Sequence, residues 1–289
     1  MDPRLSRVIW HHLECINAVT YFSPECREAP ARLGLRGFWM GYFACRAAPM
    51  GPVDAPVVEA TFFNFHPTRV HRAIPDAWSS ASPVDILAAR ASSAAAALRR
   101  LLSDRGAEEL AMVARPVLGS AIDRATVAGR PLFAANREVA EPDDPVAALW
   151  QLATTHREHR GDGHVALLTG AGLDGCEVHV LFAACENLEA ELYQDSRGWS
   201  SDDWQGARDR LRTRGLLGQG GGPTTRGQEL RDEIERRTDE LAMAIYEPLG
   251  DEKVQDLMTV LAPAARRIAA AGEITFPNPM GLPPPSTSD

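Results

Sequence analysis

The residues of this chain best suited to chemistry crowd into positions 156–164, which read HREHRGDGH. Imidazoles, carboxylates and guanidiniums sit there around two glycines. One chemistry open to such a set is metal binding, because zinc takes histidine nitrogen and carboxylate oxygen. His156 and His159, three apart, share a helix face. The spacing fits no standard motif, however. HExxH needs the glutamate beside the first histidine and the second histidine four positions on. No metal is expected on this ground. The other chemistry is acid–base. A histidine beside a carboxylate can be oriented and poised near neutral pH. Glu158, His159, Asp162 and His164 are the candidates, with Arg160 as holder of an anionic group. A purely structural role competes with this. Glu158 can pair with an arginine, Asp162 can cap a helix, His164 can stay neutral, and Arg157 and Arg160 suit a helix C-terminus.

The elements that must position these residues read mainly as helices. Leu5, Val8, Ile9, Leu13 and Ile16 recur at helical spacing. Ser23-Pro24, Ser82-Pro83 and Asp144-Pro145 are helix starts, and Ser200 with Asp203 forms a capping-box pattern. The helix from Pro145 is expected to stop at Gly161, with the next beginning at Asp162 or Gly163. The segment 57–65, VVEATFFNF, is the best strand candidate, and LLGQGGGPTT reads as a tight turn between two short strands. A polar, Pro-containing connector at 135–145 divides the chain. The expected units are 1–134 and 135–276, followed by a Pro-rich tail, 277–289, unpacked over its last residues.

Bulk properties narrow the class. A chain of 289 residues with 45% hydrophobic and 24% charged content builds substantial cores. No apolar run approaches the roughly 20 residues of a membrane span, and the charged N-terminus is not a signal peptide. The five cysteines never form CxxC, which suits reduced thiols and a cytoplasmic location. A net charge of −9 offers no general attraction to nucleic acid or anionic lipid. There is no GK[ST] phosphate loop and no GxSxG, so no motif asks for a cofactor.

Two resemblances follow from particular residues. Arg214-Gly215-Leu216 after a third helix, then Thr224 with Gly227 opening the next, resembles MarR-type winged-helix regulators over about 110 residues. GLRGFWMGYFACRA (34–47) also aligns with GLDGCEVHVLFAAC (172–185), which suggests a duplication. The segments YFSPECREAPARLGLRGFWMGYFACRAAPMGPV, ATFFNFHP, EHRGDGHVALL, AGLDGCE and FPNPMGLP resemble an actinobacterial helix-turn-helix-like family. That label implies a fold more firmly than an activity. Together these predict a mainly α chain of two winged-helix-like units, a pseudo-dimer with short β-wings.

Such a fold suggests a transcription factor, but the charges argue otherwise. A recognition helix points its N-terminal residues into the major groove, and here that end is Ser200, Ser201, Asp202, Asp203 and Trp204. Arg208, Arg210, Arg212 and Arg214 spread around the helix, the GQGGGP wing carries no cation, and Arg69, His71 and Arg72 are a thin counterpart in the first half. Affinity for DNA comes mainly from phosphate neutralisation. The seam between halves then becomes the natural pocket, reached by Tyr21, Trp39, Tyr42, Asn64 and His66. The reading reached is a monomer or homodimer that binds a small organic metabolite and transforms it by metal-independent acid–base chemistry. The resemblance adds a role in specialised metabolism. The competing reading is a ligand-responsive, DNA-binding regulator. Neither reading involves a membrane.

Overall fold

The computed structural model describes residues 1–285; the last four residues of the Pro-rich tail lie outside the described residues. The chain is built from helices. The first group is α1 (Arg4–Phe22), α2 (Pro24–Arg32), α3 (Gly37–Ala47), α4 (Ala55–Phe62), α5 (Pro67–His71) and α6 (Ala77–Ser80). Then come α7 (Pro83–Leu102), α8 (Asp104–Asp123), α9 (Pro131–Arg137) and α10 (Pro145–Gly170). The last are α11 (Glu177–Glu186), α12 (Glu191–Arg197), α13 (Ser201–Thr213), α14 (Thr225–Met243) and α15 (Asp251–Ala270). Their starts follow local rules. Ser82 accepts from the Asp85 N–H, Asp144 from the Val146 and Ala147 N–H groups, and Ser200 and Asp203 form the reciprocal capping box.

Three hydrophobic clusters organise these helices. The largest lies among α1, α7, α8, α10 and α15 and includes Ile245 and Leu282 from beyond the helices. A second sits under α3 to α6, and a third under α11 to α13 against α14. α10 runs through the middle, packed on α1, α7, α8, α9 and α14. A helix covered along most of its length needs no polar face there, and Gln151, His156, Glu158 and Asp162 are buried on it.

The expected short β-wings are absent. Among the described residues there is no strand, only one isolated bridge between Leu217 and Pro223. The Gly218 N–H reaches the Gly222 carbonyl at 2.9 Å and the Thr224 N–H reaches Leu216 at 3.0 Å. Glycines give such a ladder no side chains to extend it. The winged-helix expectation is corrected to a mainly α chain with a glycine turn. Gly227 is needed beside that turn, because a Cβ there would collide with the Leu216 carbonyl oxygen.

The predicted strand at 57–65 is also corrected. It forms α4, where Ala55, Val58 and Phe62 are buried at helical spacing, and this burial overrides the β-propensity of its residues. The helix ends at Phe63, whose φ of 59° lies in the left-handed region. Nor does a helix stop at Gly161. α10 continues through it to Gly170. A Cβ on Gly163 would stand 2.8 Å from a guanidinium nitrogen of Arg130, so this glycine permits close approach and does not begin a new helix. Among the described residues no helix is long and apolar enough to cross a membrane.

Candidate functional site

A cavity of about 570 Å³ lies where the three clusters meet. That volume is in the range of sites for small organic molecules. α1, α3, α10, α12 and α14 all contribute walls, and the segment from Pro279 to Pro283 closes one side. Leu282 anchors that segment in the main core, and Asn278 folds it by accepting from the Met280 and Leu282 N–H groups.

The structure brings Tyr21, Trp39, Tyr42, Asn64, Arg160, Asp162 and His164 to this cavity. It does not bring Glu158, His159 or His66 there. Glu158 lines a smaller neighbouring chamber of about 200 Å³. His66 caps α5, its Nδ1 accepting from the Thr68 N–H at 3.2 Å, and its ring stands edge-on to Trp199. His159 packs edge-on against Phe133.

The four acid–base candidates are tuned by their surroundings. Burial alone would raise the Glu158 carboxyl, but Arg157 and Arg46 outweigh it and hold it down to about 2. Arg46 grips both carboxylate oxygens, at 2.9 and 3.1 Å, and Arg157 adds a contact at 2.8 Å. Glu158 is therefore a permanent anion and a poor proton carrier. Burial, aided by Arg130, pushes His159 down to about 3, and burial with Arg160 and Arg231 does the same to His164. His164 faces the Thr238 hydroxyl at 3.0 Å; since that hydroxyl donates to the Ile234 carbonyl, it accepts from the imidazole. His156, which is not among the cavity walls, bonds Tyr246 and the Leu118 carbonyl and is pushed down to about 4 by burial.

Asp162 differs from the others. Burial raises its carboxyl to about 6, although the Phe133 N–H donates to it. It alone of the four acid–base candidates combines a cavity position with a proton affinity near neutral pH. Among the described residues no three histidine, cysteine, aspartate or glutamate side chains converge as a metal-holding group. The histidines of the 156–164 stretch each meet different neighbours.

Sequence reasoning missed several residues here. Arg7, Arg46, Arg157, Arg197 and Arg231 all line the cavity. Arg160 pairs with Asp239 at 2.9 Å, Arg7 with Asp239 at 2.7 Å, and Arg231 with Glu235 at 2.9 Å. Most of these partners lie far apart in the chain, so no local pattern reveals them.

The site also touches the junction between α5 and the α12–α13 turn. The Arg197 carbonyl accepts the His66 N–H at 2.9 Å, and the Trp199 indole donates to the Asn64 carbonyl at 3.1 Å. Arg197 and Asn64 both line the cavity. The start of α5 is thereby joined to the turn between α12 and α13. On α13, Arg210 is held by Glu177 and Asp174 and Arg212 by Asp209. Arg214 donates to the Ala171 and Gly172 carbonyls.

A family model described as a helix-turn-helix family matches residues 6–275, and the chain belongs to that family. Membership makes DNA a plausible partner, where charge alone argues against it. No curated protein and no solved structure matches the chain.

Proposed function

We propose that this helix-turn-helix family member is a ligand-responsive regulator. A small organic metabolite occupies the cavity of about 570 Å³, and its presence governs how α5 and α13 meet DNA. One observation carries the reading. Arg197 lines the cavity and also holds, through its backbone carbonyl, the start of α5 against the turn that leads into α13. An occupant therefore presses directly on the joint between the two candidate DNA-contacting helices. The resemblance of Arg214-Gly215-Leu216 and Thr224 with Gly227 to MarR-type regulators supports the same reading.

The joint has a consequence for DNA. Recognition helices that read successive turns of the major groove stand about 34 Å apart. Here the starts of α5 and α13 are tied together, so reading DNA with both requires the joint to open. Binding free energy spent in the cavity is the means, since a ligand shifts a two-state equilibrium by its differential affinity for the states.

The test is selection of bound fragments from genomic DNA, followed by anisotropy at about 100 mM salt. A specific sequence bound roughly a thousandfold or more tighter than random DNA is expected. Uniformly weak, steeply salt-dependent binding would overturn the regulator. It would leave the second reading, a metal-independent acid–base enzyme, which Asp162 favours.

A further inference from the structure

The arginines around the cavity are not equivalent. Arg7, Arg46, Arg157, Arg160 and Arg231 each pair with a carboxylate. Among the described residues no carboxylate pairs with Arg197. Yet Arg197 is 7% exposed, as deeply buried as several core residues. One terminal nitrogen donates to the Pro279 carbonyl at 2.6 Å, and the guanidinium lies over the Phe65 ring at 4.6 Å. Its Nε has no partner. Burial holds the group below its usual range; Arg46 and Arg157 act in the same direction, and Tyr42 and Tyr193 oppose them.

A buried cation without a counter-ion is costly to keep. One carbonyl and one ring face offset only part of that cost. A planar guanidinium with free N–H donors matches the geometry of a carboxylate, which takes two parallel hydrogen bonds. The neighbouring walls are apolar, with Phe65, Trp39, Tyr42 and Phe182 all on the cavity. A phosphate would bring more charge than one unpaired arginine neutralises in such surroundings; a carboxylate brings a single charge.

We infer that the cavity takes an organic carboxylate, its acid group paired with Arg197 and its carbon body among Trp39, Tyr42, Phe65 and Phe182. This inference rests on the ligand-binding part of the proposed function. It names the class of molecule and the residue that anchors it.

Matched compounds test it on the full chain. Octanoate with octanamide, and 4-phenylbutanoate with 4-phenylbutanamide, share a carbon body and differ in charge. Calorimetric titration of the unaltered protein is expected to show each acid binding at least tenfold tighter than its amide. Arg197→Gln should bring acid and amide within threefold of each other, while Arg197→Lys keeps part of the preference. Amides that bind as tightly as acids would overturn the carboxylate inference and leave the ligand cavity standing. Failure of every acid and amide to bind would overturn both. The comparison within the unaltered protein holds even if Arg197→Gln does not fold. Retention of the full acid preference by a folded Arg197→Gln would remove Arg197 from the anchor role.

Discussion

Arg46 of α3 holds both oxygens of Glu158 on α10, at 2.9 and 3.1 Å, across 112 positions of chain. Both side chains are largely buried, and Arg157 completes the group. Breaking a buried pair strands the remaining charges at a cost of about 3–5 kcal/mol. Glu158→Gln is therefore expected to lower the unfolding free energy by about 3 kcal/mol in urea titration. A loss under about 1 kcal/mol would mean that the pair contributes little. The pH dependence has a definite sign. The folded carboxyl is lowered to about 2 from the usual 4.5, so its contribution is complete above pH 4.5 and fades as pH falls towards 2.

The buried histidines act at higher pH. His156 and His159 titrate at about 4 and about 3 in the folded chain, against 6.5 when unfolded. Below pH 6.5 the unfolded chain takes up protons that the folded chain refuses, so stability falls. A proton bound only by the unfolded chain lowers stability by about 1.4 kcal/mol for each step of one in pH. With both imidazoles still charging across the range, the two together should cost roughly 2 kcal/mol between about pH 6.5 and 5.5. Urea titrations across that range check the slope. His11, His164 and His179 are lowered too and add to the measured slope, so His159→Phe should remove about 1 kcal/mol of the fall across that range; an unchanged slope in that variant would contradict the assignment to His159.

Asp162 has the opposite sign. Its folded carboxyl is raised to about 6 from 3.8, so the cost of ionising it in the fold builds as pH rises from 3.8 and is complete above about pH 6. Asp162→Asn keeps an oxygen for the Phe133 N–H. It should raise stability by about 1.5 kcal/mol more at pH 8 than at pH 5, where about half of the cost is already present. Urea titrations at the two pH values check this. If the chain is an enzyme, the same variant loses turnover. If it is a regulator, the variant keeps its DNA affinity.

Gly175 tests the joint beneath the cavity. A Cβ there would collide with the Phe63 carbonyl oxygen and stand 3.2 Å from the Asn64 Cα. Backbone cannot yield as a flexible side chain can. Gly175→Ala is expected to cost about 1–3 kcal/mol and to speed hydrogen exchange at the Trp199 indole N–H, which Asn64 now holds. Unchanged exchange would show that the 63–66 segment and the α12–α13 turn do not bear on each other.

Much of the secondary structure is legible in the chain because its causes are local. A serine or aspartate followed by proline favours a helix start wherever it occurs, and Ser82-Pro83 and Asp144-Pro145 open helices here, as does the capping box at Ser200. The exceptions come where surroundings outvote local pattern. The β-branched and aromatic residues at 57–65 have strand propensity, yet burial of Ala55, Val58 and Phe62 makes them a helix. Gly161 has the look of a helix stop because nothing local shows Arg130 lying against its near neighbour Gly163.

The candidate site divides in the same way. The stretch 156–164 can be picked out from residue types alone, and so can the aromatic residues Tyr21, Trp39 and Tyr42. Which charges are spent and which are free cannot. Glu158 is neutralised by Arg46 from another helix, Arg160 by Asp239, while Arg197 reaches only the Pro279 carbonyl and the Phe65 ring. Residue order was enough to establish that the chain is mainly helical, where several helices begin, and which side chains could do chemistry. It took the folded chain to enclose a cavity, to set Asp162 in it with a raised proton affinity, and to leave Arg197 without a counter-ion. Helix starts depend on neighbours a few residues away, whereas burial and ion pairing depend on side chains often a hundred or more positions apart, which only folding brings together.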